Sequence, residues 1–191
     1  PVFAVYSTLL QRALDQLIHD VALQDLPVLF AIDRAGIVGQ DGATHNGIFD
    51  ISFLSMIPNM QILAPSSLKE LANMIFTLFT EKWMDHPTAI RYPRETELQN
   101  IEEIVSNMRK MDPFKWEKVI DGKETAILAT GSMVSRSREA ALLNGCALYN
   151  CRSIKPLDKA ALGKIFADYD LIVTVEEGIM SGGFGSNVAL E

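Results

Sequence analysis

Leu26-Pro-Val-Leu-Phe-Ala-Ile32 runs directly into Asp33-Arg-Ala-Gly-Ile-Val-Gly-Gln-Asp-Gly-Ala-Thr-His-Asn-Gly47, and the fold is read from this junction. The first half is a short, continuous apolar run, the pattern of a strand buried on both faces. The second half holds four glycines in fifteen residues, which suits a backbone that turns sharply, takes positive φ or approaches a ligand closely. Between the glycines sit Arg34, Asp41 and His45: a cation, a carboxylate and a group that titrates near neutral pH. Loops leaving the carboxyl ends of buried parallel strands are where open α/β sheets bind ligands.

Working outward, Val2 to Tyr6 reads as a strand. Leu9 to Leu23 follows as a helix, with Leu10, Ala13, Leu14, Leu17, Ile18 and Val21 at helical spacing. Beyond the loop, Asp50 is placed to cap a short helix to Ile57 that Pro58 stops. Met60 to Ala64 is a third strand, Leu68 to Glu81 an amphipathic helix opened by a Ser67/Glu70 capping box, and Thr88 to Tyr92 a fourth strand. Strands alternating with helices predict a doubly wound, mainly parallel α/β sheet.

The alternation stops at Glu95. Residues 95–123 are polar and mixed in charge, with a turn at Asp112-Pro113 and a short strand at Trp116 to Ile120, so they read as a linker between two α/β units, 1–94 and 124–191. The second unit restarts with strand Thr125 to Ala129, a helix ending at Asn144-Gly145, strand Cys146 to Arg152, a helix opened by Pro156-Leu157-Asp158, and strand Asp170 to Val175. Gly182-Gly-Phe-Gly185 lacks the spacing of a nucleotide loop and reads as a tight strand-to-helix turn. The chain opens Pro-Val-Phe without an initiator Met or a basic leader and closes on the first turn of a helix, the pattern of a piece that begins and ends within domains.

Composition excludes several classes. Seventeen Lys and Arg against twenty-four Asp and Glu give a net charge of -7, which argues against nucleic-acid binding, so any phosphate must be held by a local cluster. No window reaches the ~18 apolar residues of a membrane span. Cys146 and Cys151 are five apart in a strand and point to opposite faces, so no bridge is expected and a reduced, cytoplasmic protein is the default. No Cys/His set has zinc spacing and no Gly-x-Ser-x-Gly elbow is present.

Each candidate residue has two readings. Arg34 suits a phosphate or carboxylate contact, or a salt bridge with Asp33. Asp41-Gly42 suits a turn as well as a site, and a loop histidine such as His45 is more often solvated than catalytic. Arg91-Tyr-Pro-Arg94 ends its strand at the same sheet edge as Arg34, so Arg91 and Arg34 could share a phosphate or each hold a structural ion pair. Tyr6 ends the first strand on that edge, with a half-buried aromatic role as its alternative. Arg12 and His19, seven apart on the first helix, are explained equally by solvation or subunit packing.

As an ensemble these residues are specific. Tyr6-Ser-Thr-Leu-Leu-Gln-Arg12, Asp15-Gln16, His19-Asp20, Leu26 to Gly36, Asp41-Gly-x-Thr-His45, Ile90-Arg-Tyr-Pro-Arg94, Lys155-Pro-Leu-Asp158 and Thr174-Val-Glu-Glu177 resemble the 1-deoxy-D-xylulose-5-phosphate synthase family, in order along nearly the whole chain. The resemblance implies a thiamine-diphosphate enzyme that decarboxylates pyruvate and joins the two-carbon unit to glyceraldehyde 3-phosphate, for isoprenoid, thiamine and pyridoxal synthesis. It implies most of the pyrimidine-binding domain and the first part of the C-terminal domain. His45 and Asp41 would line the reacting centre, Arg34 and Arg91 hold the acceptor phosphate with help from Tyr6, and Leu9 and Arg12 lie at the cofactor. Leu9 stands where the family usually has an aromatic residue beside the aminopyrimidine.

The resemblance also places the activating glutamate, and the domain that holds Mg2+ and the diphosphate, upstream of Pro1. The isolated 191 residues are therefore expected to be inactive, and the complete protein a homodimer. A transketolase or a 2-oxo-acid dehydrogenase β subunit shares the architecture, and a noncatalytic dimerisation piece is the reading from another class. The arginine pair favours a phosphorylated acceptor.

Overall fold

The computed structural model describes every residue except Lys82, Glu97 and Gln99. In chain order the first unit comprises β1 (Val2–Tyr6), a continuous helical run, β2 (Leu29–Asp33), α3 (Asp50–Ser55), β3 (Gln61–Leu63), α4 (Leu68–Thr80) and β4 (Thr88–Arg91). The helical run is α-helical at α1 (Ser7–Leu10) and α2 (Leu14–Gln16), 3-10 at Gln11–Ala13 and π at Leu17–Ala22. It thus starts two residues earlier than its apolar period suggests. Strands β1, β2, β4 and β3 pair parallel in that order, as the alternation predicts. β2 and β4 are internal strands; β4 is wholly buried despite Thr88 and Arg91, and β2, largely buried, reads as part of the apolar run that ends at Ile32.

Residues 95–123 are not a bare connection. They contain α5 (Ile101–Ser106), capped by Asn100 accepting the Glu102 N–H at 2.9 Å, and β5 (Glu117–Ile120), the antiparallel edge of a second sheet. That sheet has the order β5, β7 (Ala147–Asn150), β6 (Thr125–Ala129), β9 (Leu171–Val175), parallel except at β5. α6 (Met133–Asn144) ends at Gly145 with φ +64, as its helix-terminal glycine predicts. α7 (Lys159–Asp168) is capped by Asp158, which accepts the Ala161 N–H at 3.2 Å. α8 (Phe184–Ala189) follows β9 through the glycine turn. There Glu176 accepts the N–H groups of Phe184 and Gly185, both at 2.8 Å.

The strand read as Cys146 to Arg152 is shorter, and a second strand that the sequence reading did not include follows it. β7 stops at Asn150, and β8 (Ser153–Lys155) crosses to the first sheet and pairs antiparallel with β3, Ile62 facing Lys155 and Leu63 facing Ser153. One buried cluster accordingly runs through both sheets, from Leu10, Phe30, Ile51 and Ile62 to Trp116, Leu128, Ile154 and Phe184. Trp116 meets Phe184 edge-on at 5.9 Å between centroids and donates from Nε1 to the Ser153 carbonyl at 2.9 Å.

Two caps differ in detail from expectation. Ser67 accepts the Glu70 N–H at 3.1 Å, but the Glu70 carboxylate turns to Ser66 and to Asn150 Nδ2 (2.9 Å) rather than completing the box. Asp50 does not cap α3. It is the first helical residue, and its carboxylate is directed at Arg91.

Candidate functional site

β2 and β4 deliver their carboxyl ends to one edge, and the Asp33–Gly47 stretch leaves from there. The chain reverses at Arg34, whose φ of +58 is unfavourable for a residue with a side chain. Two bonds hold the reversal: Asp33 Oδ1 accepts the Arg34 N–H at 2.7 Å, and the Ala35 N–H donates to the Tyr92 carbonyl at 3.0 Å. Gly36 (φ +81) and Gly47 then exchange reciprocal N–H···O=C bonds of 2.8 Å, closing the base of the loop. Inside it, Asn46 Oδ1 accepts the Val38 N–H at 3.0 Å. The loop is therefore stitched at its base and shaped by turns at its tip.

The side chains form a compact cluster of alternating charge. Asp41 accepts from Arg34 Nη1 and lies 3.2 Å from Arg94 Nε, so one carboxylate bridges two guanidiniums. The Arg34 guanidinium also lies over the Tyr6 ring, 4.1 Å from its centroid, a cation–π contact that fixes its plane. Arg34 Nε is buried and lacks a hydrogen-bond partner among the described residues. His45 is half-buried at the loop tip with Nδ1 3.0 Å from Thr44 Oγ1, and its short turn packs on α1.

Arg91 is placed differently. Its side chain is 5% exposed, its Nε donates to the fully buried Asp50 at 3.0 Å, and its Nη2 donates to the Glu177 carbonyl at 3.1 Å. A substrate phosphate would have to displace Asp50 to reach it. Arg94, three residues on and 43% exposed, is the arginine that meets Arg34. The motif Arg91-Tyr-Pro-Arg94 contains both residues, and burial rather than residue type separates them.

Leu9 is 43% exposed and presents an aliphatic face at the start of the helical run, with Arg12 exposed one turn further on. Beside the charged cluster lies a cavity of about 340 Å3 lined by Asp33, Ser66, Tyr92, Arg94 and Ser132. Burial, and secondarily the Asp33 charge, raises the Tyr92 hydroxyl pKa above its ordinary value. Among the described residues no three His, Cys, Asp or Glu side chains converge as a metal site. No helix among them is long and apolar enough to cross a membrane.

Residues 1–97 match the family model "Transketolase, pyrimidine binding domain", and residues 95–191 match "Transketolase, C-terminal domain". Among curated proteins, the chain is 50% identical over 189 residues to a 1-deoxy-D-xylulose-5-phosphate synthase of Thermotoga maritima, covering 99% of this chain and 30% of that protein. The synthase of Clostridium acetobutylicum is 48% identical, covering 97% of this chain and 30% of its own length. The chain thus spans about a third of the length of the curated relatives it matches. Among solved structures, a split gene transketolase described as an inactive beta4 tetramer superposes with a TM-score of 0.82 at 24% identity, over 100% of this chain and 62% of that one. Transketolase from Leishmania mexicana gives 0.75 at 20% identity, over 95% of this chain and 28% of its own, and both likenesses are of fold. With one family model covering each half, the chain belongs to the transketolase family, carrying its pyrimidine-binding domain followed by its C-terminal domain.

Proposed function

We propose that this chain is the acceptor-side portion of a thiamine-diphosphate-dependent 1-deoxy-D-xylulose-5-phosphate synthase, which decarboxylates pyruvate and joins the remaining two carbons to glyceraldehyde 3-phosphate. The observation that carries the reading is the Arg34–Asp41–Arg94 cluster at the ends of β2 and β4. It occurs in a chain half identical to proteins of that name along nearly its whole length. Two guanidiniums suit a phosphate dianion, and Arg34 carries a buried donor, Nε, without a partner among the described residues. In this reading Arg34 and Arg94 take the phosphate and Tyr6 supports Arg34. Arg91 supports the wall instead of touching substrate. Asp41 holds the two cations in register before the anion arrives.

His45 is the group for proton traffic. It sits at the loop tip with Thr44 against one ring nitrogen, leaving the other to give or take a proton at an acceptor carbonyl or hydroxyl. Thiamine diphosphate, when bound, supplies the electron sink that decarboxylation requires. The chain's residues fit one part of it. Leu9, with its exposed aliphatic face, would pack on the aminopyrimidine with Arg12 nearby, while the diphosphate and Mg2+ are assigned to the rest of the protein.

We assign residues 1–94 to the pyrimidine-binding unit and start the second unit at β5, because β5 completes the second sheet. Exposed Val2, Phe3, Ile37 and Phe49 are assigned to contact with the remaining domains and a second copy in a cytoplasmic homodimer.

The test uses the full-length protein with pyruvate and glyceraldehyde 3-phosphate. Arg34→Ala and Arg94→Ala should each raise KM for the phosphorylated acceptor by roughly 10- to 100-fold and leave KM for pyruvate unchanged. Turnover with ketose donors in place of pyruvate would overturn the reading. The 191-residue polypeptide alone should neither turn over nor bind thiamine diphosphate with Mg2+ at micromolar concentration in calorimetric titration.

A further inference from the structure

Glu177 lies in the second unit, two residues beyond β9, yet it acts on the first unit through both side chain and backbone. Oε1 accepts the Ile37 N–H at 3.4 Å, and the Glu177 carbonyl accepts from Arg91 Nη2 at 3.1 Å. The carboxylate is itself held by Ser132, whose hydroxyl donates to Oε2 at 2.7 Å. Gly36 lies beneath it so closely that a β-carbon there would sit 2.7 Å from Glu177 Oε2 and 2.8 Å from its Cβ. Three more contacts continue the seam: Ile179 N–H to the Ile48 carbonyl (3.2 Å), Ser52 Oγ to the Ser181 carbonyl (2.8 Å) and Asn187 Nδ2 to Ser55 Oγ (3.2 Å).

We propose that Glu177 is a positioning residue for phosphate recognition, latching Gly36-Ile37 and Arg91 so that Arg34 and Arg94 keep their spacing; the proposal rests on the function inferred above. Arg34 needs such a latch. It holds an unfavourable φ of +58 only two residues before Gly36, and a bidentate anion site tolerates little drift of its guanidinium. The second unit would thereby tune acceptor selectivity without touching the acceptor.

The test compares Glu177→Ala and Glu177→Gln in the full-length protein. Glutamine can keep both side-chain contacts, its carbonyl accepting from Ile37 and its amide donating to Ser132 Oγ. Glu177→Ala should raise KM for glyceraldehyde 3-phosphate about 10-fold while kcat and KM for pyruvate stay within about 2-fold. Its preference for the phosphorylated acceptor over unphosphorylated glyceraldehyde should fall by the same factor. Glu177→Gln should restore the KM.

Amide hydrogen exchange across residues 36–47, measured without substrate, should quicken in Glu177→Ala and return to the parent rate in Glu177→Gln. Unchanged exchange in Glu177→Ala, or a Glu177→Gln variant as impaired as Glu177→Ala, overturns the proposal. If the full-length protein does not use pyruvate and glyceraldehyde 3-phosphate at all, the functional reading fails, and the exchange comparison alone decides the latch.

Discussion

Replacing Asp50 by alanine should be among the most costly single changes in this chain. Asp50 is fully buried, Arg91 is 5% exposed, and their contact is 3.0 Å, so the substitution strands a desolvated guanidinium that keeps, among the described residues, the Glu177 carbonyl. Breaking a buried pair from one side typically costs about 3–5 kcal/mol. Losing the Asp50 Oδ1 bond to the Ile51 N–H, 2.8 Å long at the start of α3, adds ~0.5–1 kcal/mol. Against a total stability of about 5–15 kcal/mol this is roughly a quarter or more.

At a urea slope of ~2 kcal/mol/M, the unfolding midpoint should drop by roughly 2 M. Equilibrium unfolding followed through the buried Trp116 reads this directly. Asp50→Ala/Arg91→Met removes the stranded charge and should recover at least ~2 kcal/mol of the loss. A midpoint shift of Asp50→Ala below ~0.5 M, or a double variant no more stable than the single, would refute the view that Arg91 is locked by Asp50.

Two other expectations follow from geometry. Gly36→Ala meets both a positive φ and the Glu177 side chain and should cost ~2 kcal/mol or more, whereas Gly145→Ala, with a similar φ and open space around it, should cost only ~1 kcal/mol; paired thermal melts separate them. His86 hydrogen-bonds Asp25 at 2.8 Å, and that bond raises its pKa above 6.5. Because the folded value lies above the unfolded one, the stabilisation is complete below about pH 6.5 and disappears as pH rises through the raised folded value. The pair is about 40% exposed, so the effect is well under ~1 kcal/mol, and the melting difference between the parent and His86→Gln should be present at pH 5.5 and absent at pH 8.5.

Most of the sheet was legible because its central strands are buried on both faces. Leu29–Asp33 and Thr125–Ala129 announce themselves as apolar runs, and Thr88–Arg91 as a short segment stopped by Pro93. β8 was not legible: three residues with a single apolar side chain carry no period, and their partner strand lies some ninety positions upstream. β5 was seen as a strand but not as part of the second sheet, because an antiparallel edge leaves no mark on local composition. In the candidate site, residue types were readable and their facing was not. Arg91 and Arg94 share one motif, and the buried Asp50, on a helix that local sequence predicts but cannot dock against β4, tells which of them is spoken for. The task of Glu177 is not legible from its motif, since its contacts lie 45, 86 and 140 residues away.

The crossing of β8 into the first sheet bears on how such a gene could divide. A break between residues 95 and 116 would give one product whose β3 edge is bare and another carrying a strand with nothing to pair. Made separately, each product would expose a template for aggregation. Made together, each carries the surface that the other's bare edge requires, so fission at this point yields obligate companion subunits instead of independent modules.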